Sequence, residues 1–171
     1  MKIYNIILFF AAALAFTACD PDYAVEDYFD LEELPGYVAF DADGNNATLD
    51  DVETTEDGGT VELIIENPTG TKSDITVNYD LSGSAVFGID YTIEGATSNG
   101  GSLVIKPNSG AVNETIQSRL VITLLTDGEA DGEKMIIITL VDASNAEGSV
   151  AVGRGGKDFL KTANVIIADI D

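Results

Sequence analysis

Apolar and polar residues alternate through Thr60–Glu66, with Val61, Leu63 and Ile65 on one side and Glu62 and Glu66 on the other. A period of two marks a half-buried strand. The same period runs through 75–81, where Ile75, Val77, Tyr79 and Leu81 share a face. Shorter runs at 36–40 and 102–106, a long apolar run at 117–125, and a closing run at 163–168 read the same way. Residues 134–142 are nearly continuous in Ile, which places that strand in the centre of a sheet. Turn formers separate these runs: Asn67-Pro68-Thr69-Gly70, Pro107-Asn108-Ser109-Gly110, and the acidic stretch 126–133, TDGEADGE. The stretches 41–57, 82–90 and 143–161 read as longer connections. About seven strands with turns between them predict an all-β, immunoglobulin-like antiparallel sandwich over 36–171. No repeat of 20–50 residues is visible, so one module is expected.

Strand direction then says where the acids go. Successive antiparallel strands run between the two ends of a sandwich. Taking Glu56-Asp57 as the upper end, strand 60–66 descends and 75–81 climbs, which puts Asp90 at the top. Strand 102–106 descends and 117–125 climbs, bringing Asp127, Glu129, Asp131 and Glu133 to the same end. After 134–142 descends and 163–168 climbs, Asp169 and Asp171 arrive there as well, on one side of their strand. Two carboxylates about 4 Å apart repel by roughly 4 kcal/mol at an effective dielectric near 20. Either they splay into water or a cation neutralises them. A set of oxygen ligands from irregular loops suits Ca²⁺ first and Mg²⁺ second. Asp90 has a plainer role open to it, capping its own turn with Tyr91 packed below. The stretch 169–171 could equally be a frayed end.

Composition narrows the chemistry. The chain has 171 residues, 30 acids, 8 bases, one cysteine and no histidine. All the acids follow Cys19 and one base, Lys2, precedes it, so residues 19–171 carry a net charge of −23. That excess disfavours nucleic acid and anionic lipid surfaces, and it also serves as a solubilising coat. Without histidine the usual general base, the Ser-His and Cys-His pairs and imidazole ligands are missing, so zinc, copper and triad chemistry are not expected. Two carboxylates could in principle hydrolyse a glycoside, but no cleft is evident in so small a chain, and the expectation is a protein that is not an enzyme.

The first residues read as an address. Lys2 precedes an apolar run at 6–15, IILFFAAALA, too short for a spanning helix of roughly 20 residues. Phe16-Thr17-Ala18-Cys19 then resembles a bacterial lipobox, with Phe16 where Leu is usual. The resemblance implies a signal peptide at 1–18, cleavage before Cys19, and a membrane anchor on the lipidated Cys19. Residues 20–35, DPDYAVEDYFDLEELP, are acidic and broken by Pro21 and Pro35, so 19–35 reads as an extended tether. An acidic stretch behind a lipidated cysteine resembles the surface-export signal of some Gram-negative lipoproteins. Asp41-Ala42-Asp43-Gly44-Asn45 hints at a calcium loop but has Gly at the fourth place and no Glu at the twelfth, so it reads as a plain turn.

The domain resembles the Calx-beta family, found in the cytosolic part of sodium/calcium exchangers and in many bacterial surface proteins. The matching pieces are Glu56-Asp57-Gly58-Gly59-Thr60-Val61, Val77-Asn78-Tyr79 through Gly83-Ser84-Ala85 to Gly88-Ile89-Asp90-Tyr91, Glu133 leading into 134–140, and the closing Val165-Ile166-Ile167-Ala168-Asp169-Ile170-Asp171. They span roughly 37–171. Carried over by position, the resemblance implies Glu56, Asp90, Asp127, Glu133, Asp169 and Asp171 as Ca²⁺ ligands. Where exchanger domains have consecutive Asp residues, this chain has Thr126-Asp127-Gly128, which implies one or two ions and weaker binding. The expected function is a lipid-anchored envelope module for binding or adhesion, stabilised by Ca²⁺. The alternative is a metal-free structural or glycan-binding lipoprotein of the same fold. A protein or glycan partner is compatible with either, and the absence of Trp weighs against a carbohydrate platform.

Overall fold

The computed structural model describes residues 36–42, 46–107 and 116–170. The chain divides into Met1–Glu33 and Leu34–Asp171, and every described residue belongs to the second unit. The signal-peptide, Cys19 and tether readings fall outside the described residues, as do Asp43, Gly44, Asn45 and Asp171.

Ten strands are described: β1 (Tyr37–Phe40), β2 (Val52–Thr55), β3 (Thr60–Glu66), β4 (Ile75–Gly83), β5 (Tyr91–Ile93), β6 (Gly100–Ile105), β7 (Gln117–Leu124), β8 (Lys134–Asn145), β9 (Gly148–Val152) and β10 (Thr162–Ala168). Seven of them match the expected runs to within a few residues. Of the other three, β2 and β9 lie in stretches that read as connections and β5 lies in 91–101, to which no element was assigned, so the count of about seven is corrected to ten.

Two layers result. One has the order β1-β3-β7-β5, antiparallel throughout. The other has the order β2-β10-β8-β4-β6, antiparallel except for the parallel β2–β10 pair. β8 is the central strand of the second layer, flanked by β4 and by β10, as its apolar run implies. Its far end pairs with β9, and β9 in turn pairs in parallel with β1, joining the layers along one side.

Alternation delivers one face of each strand inward. The core holds Val38, Phe40, Ile65, Val77, Ile105, Ile122, Ile138, Leu140 and Val165, all fully buried. Each large aliphatic side chain taken out of water stabilises the fold by about 1.5–3 kcal/mol. β3 shows the period plainly: Val61, Leu63 and Ile65 are buried between exposed or half-buried neighbours.

Pairing fixes every direction. β3 runs away from the upper end, and its partner β7 runs back, with Thr60 opposite Thr123. β4 climbs to Gly83, which lies opposite Ile136 near the start of β8. β10 climbs to Ala168 beside Thr55 of β2. One rim of the sandwich thus collects the ends of β2, β4, β7 and β10 and the starts of β3, β5 and β8.

Candidate metal centre at the strand-end rim

Asp90 sits in a compact connection between β4 and β5. The Met135 N–H donates to Ser84 Oγ at 2.9 Å and Ala85 N–H donates to Met135 O at 3.0 Å, so the connection is stitched to the start of β8. A tight turn follows, with Ile89 N–H and Asp90 N–H both donating to Val86 O at 3.1 and 2.9 Å. Gly88 takes φ of 85°, the left-handed region glycine enters without strain, and its N–H donates to Tyr91 O at 2.7 Å. Phe87 and Tyr91 meet edge to face with centroids 5.6 Å apart. The Tyr91 ring is buried, and burial first and the Asp90 charge second push its hydroxyl above the ordinary tyrosine range.

The Asp90 side chain is only 2% exposed and is fully used. Its Oδ2 accepts the Val86 N–H, closing the turn. Its Oδ1 accepts from Lys134 Nζ at 2.6 Å. The capping role and the rim role belong to one carboxylate.

Lys134, the first residue of β8, brings a cation into the rim. Its ammonium pairs with Asp90 and Asp131 and lies 4.0 Å from Asp127 Oδ2. The side chain is 14% exposed. Hydrogen bonds to Asp131 and then Asp90 hold its pKa well above the ordinary lysine value, with burial opposing. One ammonium therefore stands among three carboxylates.

Those three, Asp90, Asp127 and Asp131, each offer an oxygen within 4.8 Å of the others, a spacing that could hold a metal ion. Asp90 is buried and the other two are exposed. The loop that carries Asp127 and Asp131 is shaped by its own turn: Asp127 Oδ1 accepts the Glu129 N–H at 3.0 Å, and Gly128 and Gly132 take φ of 76° and 85°. Asp169 reaches this loop from the end of β10, its Oδ2 accepting the Gly132 N–H at 2.6 Å. Glu56 follows β2, is 2% exposed, and donates its N–H to Ala168 O at 3.3 Å. Among the described residues, Glu56 and Asp90 are the two buried carboxylates, and both lie at this rim.

Of the residues expected as ligands, Asp90 and Asp127 are in the close group, while Asp169 and Glu56 are at the same rim. Glu133 is exposed and is not in the group, which includes Asp131, two residues earlier. Asp171 lies outside the described residues. Sequence reasoning put Asp131 at the rim without naming it a ligand, and it missed Lys134 as part of the site. The signal for Lys134 was present: it is the one base in the run 126–134, TDGEADGEK.

Comparison with solved structures finds the same fold in Calx domains. The apo-form Calx CBD1 domain superposes with a TM-score of 0.54 at 18% identity, over 80% of this chain and 98% of that one. CBD12 from CALX1.2 gives 0.56 at 18% identity, over 79% of this chain and 44% of that one. The calcium binding domain CBD12 of CALX1.1 gives 0.50 at 20% identity, over 71% and 42%. At these identities the likeness is one of fold. No family model and no curated protein matches the chain.

Proposed function

We propose that the domain is a non-enzymatic binding or adhesion module of the Calx-beta type, held in a bacterial envelope by lipidated Cys19, whose rim takes up one or two Ca²⁺ ions. The observation that carries the cation reading is the convergence of Asp90, Asp127 and Asp131, with one oxygen from each inside a 4.8 Å span. Oxygens at that spacing suit an ion ligated at 2.3–2.6 Å, and the donor set holds no nitrogen or sulfur to favour a softer metal. Asp90 is fixed by its turn, while Asp127 and Asp131 are carried by a glycine-containing loop. Asp169 and Glu56 lie at the same rim. The calcium binding named for the CALX1.1 domain supports the reading by likeness of fold.

Sites of this extracellular kind work at roughly 10⁻⁴–10⁻³ M. Calcium at 100 times its Kd stabilises the folded state by about 2.7 kcal/mol. The test is the thermal midpoint with excess calcium and with chelator, beside a calorimetric titration. A higher midpoint in calcium and a saturable heat are expected; equal midpoints with a flat titration reject the cation reading. For the anchor, Cys19→Ser is expected to leave an uncleaved or soluble product. Membrane fractionation at the wild-type level would reject it.

One observation favours a second reading, a metal-free structural or glycan-binding module of the same fold. The Lys134 ammonium already neutralises part of the rim. The calcium titration separates the two readings, and a glycan array tests the carbohydrate version of the second.

A further inference from the structure

We propose that the binding module takes its partner at the open edge of β6, and that the partner is an extended, cationic polypeptide strand added to the layer β2-β10-β8-β4-β6; this rests on the binding reading and not on the cation site. β1, β2, β5 and β6 end the two layers. β1 is covered by β9. β5 has three residues, and β2 has four with an exposed Glu53 among them. β6 has six, Gly100–Ile105, and among the described residues it pairs with β4 alone. Open edges are ordinarily guarded by charge, proline or a bulge. Residues 95–105 hold no acid, base or proline, and the register against β4 is unbroken from Gly100 to Ile105.

The pairing says which groups face outward. Leu81 N–H donates to Asn99 O at 3.0 Å, so Asn99 turns its main chain toward β4. Bonded and non-bonded pairs alternate along an antiparallel ladder. Gly101, Leu103 and Ile105 therefore face β4 as well, while Gly100, Ser102 and Val104 face away. Gly100 confirms the parity, exchanging bonds with Thr97 at 2.9 and 3.1 Å. That leaves two N–H and two C=O groups, those of Ser102 and Val104, without a main-chain partner among the described residues. A strand laid alongside would satisfy all four, as in β-strand addition. Its inward side chains would lie beside Leu103, which is only half buried at this margin.

Charge selects the occupant. The outer face next to this edge carries exposed Asp80, opposite Gly100, and exposed Asp142, opposite Asn78 on β4. The nearby base, Lys106, is already paired with Asp74. With residues 19–171 at −23, the field draws in a strand with lysine or arginine on its outward face and apolar residues on its inward one. A second copy of this chain is disfavoured, because it would bring two such charges together.

The probe is a dye-labelled, capped peptide of alternating lysine and valine, about six residues long. Fluorescence anisotropy with the full chain, in chelator, keeps the cation site out of the result. Saturable binding is expected, with a loss of ten-fold or more when alternate peptide amides are N-methylated, which keeps the charge and blocks the pairing. Ser102→Pro removes one outward donor at an edge position where proline is tolerated, and should weaken binding roughly five-fold. Wild type alone gives a further measurement that does not depend on a variant folding. Amide hydrogen exchange at Ser102 and Val104 should slow several-fold with saturating peptide, while Leu103, already bonded to β4, changes little. Equal binding of the methylated peptide, or binding without slower exchange at Ser102 and Val104, reduces the contact to charge alone and overturns the proposal. No binding of the parent peptide overturns it too, and leaves the calcium titration and the glycan array to decide the other readings. Sedimentation showing a wild-type dimer that Ser102→Pro dissolves would give the edge to a second copy and refute the cationic partner.

Discussion

Replacing Asp90 by asparagine keeps the shape of a side chain that is 2% exposed and removes its charge. The amide oxygen can still accept the Val86 N–H, so the turn survives, but the 2.6 Å bond from Lys134 to a carboxylate is lost. Removing one partner of a buried pair costs about 3–5 kcal/mol because the other charge is left uncompensated. Lys134 keeps Asp131 as a partner, which puts the loss near the lower bound, about 3 kcal/mol. For a domain of this size each kcal/mol moves the midpoint by about 3–4 °C, so a drop of about 10 °C is expected. Thermal unfolding by circular dichroism, in chelator at pH 7, reads it. Glu133→Gln serves as the control, since an exposed acid outside the close group should shift the midpoint by no more than about 2 °C. A drop below about 3 °C for Asp90→Asn would refute the reasoning, because the rim pair would then contribute no more than a surface one.

Two further predictions concern other parts of the fold. Burial first and the Asp41 charge second raise the Glu66 pKa above 4.5, with Arg154 opposing; the resulting penalty is absent below the ordinary glutamate value and complete above the raised native one. Glu66→Gln should therefore raise the midpoint at pH 7 and leave it unchanged near pH 4, and equal effects at both would contradict the assignment. Gly83, with φ of 118°, closes β4 against the start of β8, and a Cβ there would run into the Met135 carbonyl oxygen. Gly83→Ala should cost about 2–4 kcal/mol in denaturant unfolding, through strain at a left-handed position and displacement of β8.

Much of the architecture can be read from the chain, because seven strands announce themselves by alternation. The three that do not are short or polar. β2 is Val-Glu-Thr-Thr inside a run of acids, and it is a strand because β10 pairs with it in parallel. β5 has three residues, too few for a period. β9 begins with a glycine and is recruited between β8 and β1. The rim was nevertheless legible, for a topological reason. Each unread strand runs the same way as the strand after it or before it: β1 with β2, β5 with β6, β9 with β10. Miscounting them leaves the direction of every later strand unaltered, so Asp90, Asp127 and Asp169 still arrive at one end. What direction cannot supply is the conformation of the 125–133 loop. In that loop Asp131, and not Glu133, has an oxygen close to those of Asp90 and Asp127, and Gly128 and Gly132 take positive φ on either side of it. Lys134 was read as the start of a strand, which it is, but its side chain turns to the carboxylates.

The most direct measurement is equilibrium dialysis of the full chain against 1 mM ⁴⁵Ca²⁺, beside a variant in which Asp90, Asp127 and Asp131 are all asparagine and whose fold is verified by circular dichroism. Up to one or two ions per chain in the wild type, and a clear loss in the variant, is the expected result. Calcium uptake indistinguishable between the two proteins, or none in either at a protein concentration able to reveal millimolar binding, would contradict a cation site at this rim.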